Sequence, residues 1–275
     1  MRGCIIFAYL ILFWNNVYVS KGWENLSLLP QYKGQASLEP YFSGYNAPPG
    51  GAVDGYLQEE CGQGTCSITW ANSKIKEAWW KFPLKSMANV AYLEIYFRKS
   101  TINRHVGFSV FVFNNSSYTP PLKPSEHKVF THNIATCPNP VMNVTVNRET
   151  GGIALYNSKN PPVSTACSGY EPTFATIEIC EVKVMGCPSQ HYGESCVPCN
   201  PKCRDKQCDA FNGSCIYGCR ETVIDSPDCS DCRDGYYGTD CTQSCGFCKI
   251  DTFCDKSTGI CPEGCQGNWD HSHCA

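Results

Sequence analysis

The final third of this chain writes one eight-cysteine pattern twice. Cys187, Cys196, Cys199, Cys203, Cys208, Cys215, Cys219 and Cys229 recur as Cys232, Cys241, Cys245, Cys248, Cys254, Cys261, Cys265 and Cys274, at intervals of 45 or 46 residues. The intervening residues repeat as well, CPSQHYGESC answering to CRDGYYGTDC and CDAFNGSCIYGC to CDKSTGICPEGC. Segments this short and this poor in aliphatic side chains cannot bury enough apolar surface to fold alone, so covalent crosslinks must replace the missing core. The chain is therefore built for an oxidising compartment. Cys196-x2-Cys199, Cys229-x2-Cys232 and Cys245-x2-Cys248 also have zinc-ligand spacing, and His271 and His273 lie near Cys274. In a regular secreted array the disulfide reading outweighs the zinc one.

The N-terminus agrees with that compartment. Arg2 is followed by the apolar run CIIFAYLILFW, Cys4 to Trp14, and then by small polar residues, which reads as a secretory signal peptide over residues 1–22, cut after Ser20 or Gly22. Eleven residues are too few to span a bilayer as a helix, and no later stretch is apolar enough. The protein is expected outside the cell, secreted, or held at the cell surface if a longer form exists. The chain ends one residue past Cys274, as an intact module would. Five sequons, at Asn25, Asn114, Asn115, Asn143 and Asn212, fit a glycosylated exterior. The formal charge is -3 with no basic block, so the electrostatic footprint of a nucleic-acid binder is absent. Glycans and cell-surface proteins are the expected partners.

Residues 23–186 differ in composition, rich in Tyr, Phe, Val and Ile with Pro and Gly turns, and are long enough for one domain with its own core. In Val90 to Phe97, Leu93, Ile95 and Phe97 share one face and Tyr92, Glu94 and Tyr96 the other; Phe108 to Phe113 is apolar enough to be buried on both faces. Ile153 to Tyr156 and Phe174 to Met185 are further strands. No segment has a helical period, so the class is an all-β sandwich. Ile177 and Ile179 are apolar at odd positions, whereas Cys180, Val182 and Val184 are apolar at even ones. Two readings fit this change of phase: a bulge near Cys180 and Glu181, or a strand buried on both sides with Glu181 at its rim. No Ser/His/Asp, Cys/His or paired-carboxylate arrangement stands out, so no enzyme activity is expected.

Three ordered motifs carry a resemblance: GGAVDGY (Gly50 to Tyr56), EAWWKFPL (Glu77 to Leu84) and ICEVKVMG (Ile179 to Gly186). They resemble the galactose-binding-like jelly rolls of F-type lectins (fucolectins), relatives of discoidin domains. The cysteine-rich tail resembles laminin-type and multiple-EGF repeats of scavenger-receptor-like proteins, as modules 187–231 and 232–275; its last segment, CQGNWDHSHC, departs from the repeat's Gly/aromatic turn. The resemblance implies a jelly-roll sandwich followed by two small disulfide-rich EGF-like modules. It also implies a Cys66–Cys180 disulfide, then Cys137 with Cys167, which leaves Cys61 over. Pairing of Cys61 with Cys66 stays open, as do a free thiol and a disulfide-linked dimer.

By the same resemblance the D-G loop holds a structural calcium ion. Asp54, Thr65 and Glu181 would offer side-chain oxygens, and Gly51, Tyr56 and Cys180 backbone carbonyls, with Tyr56 standing where the family has Asn. The alternative is that Asp54 caps a turn. The family's sugar site uses a His and two Arg flanking an Asp. Arg98 and Arg104 take the Arg positions if the loop is one residue shorter before Gly107; Ile68 takes the His position and Ser100 the Asp position. Paired hydrogen bonds from cations to sugar hydroxyls, with an apolar wall behind the ring, explain that choice of residues. The competing reading makes Arg98 and Arg104 solvated loop cations. His105 is a further ligand candidate. Trp79 and Trp80 fit core packing better than a sugar platform. The expected function is recognition of a glycan or protein, in adhesion, scavenging or immune surveillance. The alternatives are an ectodomain portion of a multiple-EGF scavenger or signalling receptor, and a matrix protein with a vestigial pocket.

Overall fold

The computed structural model describes residues 22–44, 46–62, 64–120, 127–221, 226–249, 252–267 and Cys274. The expected leader, apart from Gly22, and the histidines of the last segment lie outside these residues. The N-terminal part is all-β. Its strands are β1 (Glu24–Asn25), β2 (Ser37–Glu39), β3 (Ser67–Ile68), β4 (Glu77–Phe97), β5 (Ser109–Val112), β6 (Lys128–Thr131), β7 (Val141–Ser158) and β8 (Glu178–Pro188). They form one antiparallel network in the order β1-β8-β4-β7-β5-β6, with β2 added to β4 and β3 to β8.

Two strands of unusual length make this network a sandwich. The first half of β4, Glu77 to Pro83, pairs with β2 and with the second half of β7; its second half, Ala88 to Phe97, pairs with β8 and with the first half of β7. The register breaks between Pro83 and Ala88 and again between Val90 and Tyr92, and there the inward face changes parity. Ala78, Trp80, Phe82 and Leu84 are buried before the break, and Leu93, Ile95 and Phe97 after it. The alternation over 90–97 is thus the inner face of a half-strand. Phe108 through Phe113 is buried throughout. Trp80 is wholly enclosed, its indole N–H donating to the Pro49 carbonyl at 2.8 Å, and it stacks on Phe82; Trp79 is half-buried beneath the Lys81 ammonium.

β8 starts at Glu178, later than the pattern over 174–185 predicts. Before it, backbone groups are satisfied by neighbours outside any ladder: Ala175 N–H donates to Ile75 O, Ile177 N–H to Thr69 Oγ1, and Thr176 O accepts from Asn157 Nδ2. Tyr96 lies opposite Glu181 and Phe97 opposite Ile179, so Cys180 is the extra residue of a bulge. This is the physical cause of the change of phase in the sequence.

The tail is held by eight disulfides with the same connectivity in both repeats. Cys187–Cys196, Cys199–Cys208, Cys203–Cys215 and Cys219–Cys229 are matched by Cys232–Cys241, Cys245–Cys254, Cys248–Cys261 and Cys265–Cys274. The cysteines with zinc-ligand spacing are all spent in these bonds. Small hairpins, β9 (His191–Tyr192) with β10 (Val197–Pro198) and β11 (Tyr236–Tyr237) with β12 (Gln243–Ser244), occupy equivalent places. Tyr192 covers Gly213 and Tyr237 covers Gly259, where a Cβ would lie within 2.5 Å of the ring and φ is positive; only glycine fits both demands.

The first repeat is fastened to the sandwich. Asn89 Nδ2 donates to the carbonyls of His191 and Cys208 at 3.0 Å, Glu149 accepts from Ser189 Oγ and Gln190 N–H, and Trp23 meets Tyr92 and Phe211 edge-on. These contacts gather at the Pro188 end of β8. Glu178, at the other end of this 11-residue strand, is roughly 30 Å away.

Candidate functional site

Around Glu178 the ends of β3, β4 and β8 and the loop 99–105 form a cleft of about 350 Å³, lined by Ala47, Cys61, Ile68, Arg98, Arg104 and Glu178 among others. Sequence reasoning missed its central group. The Glu178 side chain is 1% exposed, yet takes Arg98 Nη1 at 3.2 Å and Thr101 Oγ1 at 2.8 Å on Oε2, and Arg104 Nη1 at 2.7 Å on Oε1. A buried carboxylate needs such partners, since desolvation would otherwise force it neutral. The available signal was an acidic residue inside the apolar run FATIEICEV, where a carboxylate demands a cation.

The two arginines, about one-third exposed, are thereby fixed with part of each guanidinium facing the cleft. They are not loop cations free in solvent. Arg98 Nε also donates to Glu60 Oε2 at 3.1 Å, and Glu60 accepts from the Ser100 N–H and hydroxyl at 2.7 Å. Ser100 thus does not supply the anion between the arginines; Glu178 does, and Glu60 adds a second carboxylate on Arg98 alone. Ile68 lines the cleft as an apolar wall, half-buried.

His105 corrects the sequence expectation. It is wholly buried and does not face a ligand. Nε2 accepts the Glu178 backbone N–H at 2.9 Å, and Nδ1 lies 3.3 Å from the Ile102 carbonyl, an arrangement that suits the neutral ring. Burial, with Lys159 and Arg104 adding and Glu178 opposing, pushes its pKa from 6.5 down to about 4. The folded state binds fewer protons than the unfolded one between these values, so the contribution is complete above 6.5 and lost as pH falls toward 4, up to roughly 3 kcal/mol. Urea melts should show stability falling across this window in the wild type, with a flatter slope in His105→Gln; parallel slopes would refute the assignment.

Cys66 is bonded to Cys180 and Cys137 to Cys167, and Cys61 is a free thiol. Cys61 Sγ stands 4.0 Å from Cys180 Sγ, and the three sulfurs of Cys61, Cys66 and Cys180 lie within 4.8 Å of one another. Burial, opposed by Arg98 and aided by Glu178 and Glu60, pushes the Cys61 thiol up to about 12.

Beside the bulge, Glu181 is wholly buried. Oε2 accepts the Gly55 N–H at 3.2 Å, while Oε1 has no hydrogen-bond partner. Burial and the neighbouring Asp54 charge push its pKa up to about 7, against the Gly55 bond. A buried carboxylate oxygen without a donor, next to a second carboxylate, fits a hard cation that takes oxygen ligands. The structure brings Asp54 and Glu181 together through Gly55. Tyr56 donates its N–H to Asp54 Oδ1 at 2.9 Å and turns its ring to solvent, and Thr65 Oγ1 is engaged with Gln58 and Gly62. Of the sequons, Asn114, Asn115, Asn143 and Asn212 are exposed; Asn25 is half-buried, its amide oxygen accepting from Ser27 and Val184. Among the described residues no helix is long and apolar enough to cross a membrane.

No family model matches the chain. Laminin subunit beta-4 of Danio rerio is 33% identical over 97 residues, covering 29% of this chain, and the chain spans 5% of that protein's length. Among solved structures, the chain is similar to a fucolectin from the serum of striped bass, Morone saxatilis, at 17% identity over 60% of this chain and 49% of that one, with a TM-score of 0.46. It is similar to a His 62 mutant of the lectin binding domain of lectinolysin complexed with Lewis b, at 19% identity over 59% and 95%, TM-score 0.41. It is also similar to the family 32 carbohydrate-binding module of C. perfringens NanJ in complex with galactose, at 17% identity over 55% and 92%, TM-score 0.38.

Proposed function

We propose that the protein is an extracellular recognition glycoprotein that binds a neutral glycan in the Arg98–Arg104–Glu178 cleft. The observation that carries this reading is the pair of arginines anchored on one buried carboxylate at the floor of a half-apolar cleft. Guanidinium N–H groups not used by Glu178 donate to sugar hydroxyls, and Ile68 and Ala47 face the apolar side of the ring. Both positive charges are already matched by Glu178 and Glu60, which favours uncharged hydroxyl-rich ligands over sialylated or sulfated ones. The cleft and the tail sit at opposite ends of the sandwich, so the repeats act as a spacer that leaves the cleft unobstructed. Weak single-site affinity is then tolerable in a clustered array.

The test is a glycan array of the secreted protein, with Arg98→Lys and Arg104→Lys beside the wild type. Lysine keeps the charge beside Glu178 and loses the planar fork. Binding to neutral glycans, lost in the lysine variants while their melting temperatures hold, supports the reading; an array that stays blank overturns it. The 97-residue similarity to a laminin subunit favours the second reading, an extracellular matrix protein, in which the blank array would be the result.

A calcium ion is part of the proposal. Asp54 and Glu181, with backbone carbonyls of the D-G loop, would hold it, and its charge would neutralise two neighbouring carboxylates. Calcium at about a hundredfold over its Kd should then raise the melting temperature by about 5 °C or more. Magnesium should do less, and Glu181→Gln should remove the effect. An unchanged melt in millimolar calcium would eliminate the ion.

A further inference from the structure

We infer that the cleft continues into a second sugar subsite, an aromatic platform made by Phe42 and Trp70 that takes the apolar face of the next pyranose ring of an oligosaccharide. The inference rests on the glycan reading of the cleft and goes beyond it by assigning a minimum ligand length. The rings of Phe42 and Trp70 stack with centroids 5.6 Å apart and planes 19° from parallel. Both remain substantially exposed, at 40% and 37%, and Tyr41 beside them at 51%. The sandwich encloses Trp80, Phe82, Phe97 and Phe108 completely, so this exposure is not a general shortage of room in the fold.

Sequence neighbours of both rings line the cleft, and the platform is held in register with it. Gly44 lines the cleft and lies against the Phe42 ring so closely that a Cβ there would come within 2.4 Å of it. Ile68, two residues before Trp70, and Ala71, directly after it, line the cleft as well. Trp70 N–H donates to Pro40 O at 2.8 Å, tying the two loops together, and Thr69 N–H donates to Ile177 O at 3.0 Å. Since β3 pairs Ile68 with Glu178, the same backbone ladder places the platform beside the carboxylate that orients both arginines. The stacked rings carry no charge and are preorganised, so a pyranose presenting its C–H face meets an apolar surface without ordering it first.

The experiment measures binding of L-fucose, D-galactose and a set of neutral oligosaccharides terminating in either sugar to the wild-type protein and to Phe42→Ala, Trp70→Ala and Trp70→Phe. Binding is read by calorimetry and by tryptophan fluorescence. An oligosaccharide should bind the wild type about tenfold or more tightly than its terminal monosaccharide. That ratio should fall to about one in both alanine variants and largely survive in Trp70→Phe, which also serves if Trp70→Ala fails to fold. Monosaccharide binding with no gain on extension, or a gain that survives Phe42→Ala, would overturn the platform while leaving the cleft standing. Absence of any sugar binding would overturn both. Concentration-dependent self-association abolished by Trp70→Ala, with no effect on sugar, would assign the rings to a contact between copies instead.

Discussion

Glu178→Gln is expected to destabilise the sandwich by about 3 kcal/mol and to disorganise the cleft. Its side chain is 1% exposed and gathers Arg98, Thr101 and Arg104, while its backbone N–H holds His105. An amide in its place loses the charge and turns one NH2 toward guanidinium donors, so at least one bond becomes a donor–donor clash. Breaking a buried ion pair from one side costs about 3–5 kcal/mol. The lower end applies because both arginines keep about one-third of their surface in water. Urea melts would measure the loss, and a Gln variant within about 0.5 kcal/mol of wild type would mean that the cluster does not hold the site together. The converse matters for design. Changing Arg98 and Arg104 together to Ala leaves Glu178 buried without a cation, so lost binding in that variant would report misfolding as readily as lost contacts. Arginine-to-lysine changes avoid the confusion.

Cys180→Ser should cost roughly 4 kcal/mol, whereas Cys66→Ser should cost much less. The Cys66–Cys180 bond closes a separation of 114 residues, and in the chain-entropy treatment a loop of that order contributes about 4.7 kcal/mol. Cys61 Sγ lies 4.0 Å from Cys180 Sγ, at a separation of 119 residues. With Cys66 gone it can form the equivalent crosslink with Cys180; with Cys180 gone Cys66 has only Cys61 within reach, a near neighbour in sequence whose bond closes too short a loop to replace the lost one. Non-reducing peptide maps of Cys66→Ser should therefore contain a Cys61–Cys180 peptide, and Cys61→Ser with Cys66→Ser should be as unstable as Cys180→Ser. Equal losses in the two single variants, with both thiols free in Cys66→Ser, would refute the substitution. In the wild type the thiol, pushed up to about 12, is almost entirely protonated at neutral pH. It is a poor nucleophile toward the neighbouring bond or a second chain. The protein should run as a monomer without reductant, against the expectation that Cys61 links chains.

How much of the site could be read in advance varies by residue. Arg98, Arg104 and Ile68 were reachable only through the resemblance to F-type lectins, which assigns them the family's two Arg positions and its His position. Glu178 could not be matched to either arginine, because its partners are 80 and 74 residues away and no local pattern joins them. His105 was a candidate to stand in space for the histidine that Ile68 replaces; its burial follows from Phe97 and the Glu178 backbone closing over it. Phe42 and Trp70 drew no notice because a surface aromatic pair 28 residues apart leaves no periodic trace.

The sequence by itself determined the features that depend on near neighbours: the doubled cysteine array, the alternation of Leu93, Ile95 and Phe97, and the phase slip at Cys180. Each is a periodicity or an interruption of one, set by how consecutive side chains alternate across a strand or how short loops close. Tertiary structure alone decided the connectivity of the tail, the burial of His105, and the meeting of two arginines, two glutamates and three sulfurs at one end of the sandwich. Those groups are far apart in the chain. They converge because β3 and β4 flank β8 in a register that the bulge at Cys180 shifts by one residue, and strand register is fixed by packing over the whole core.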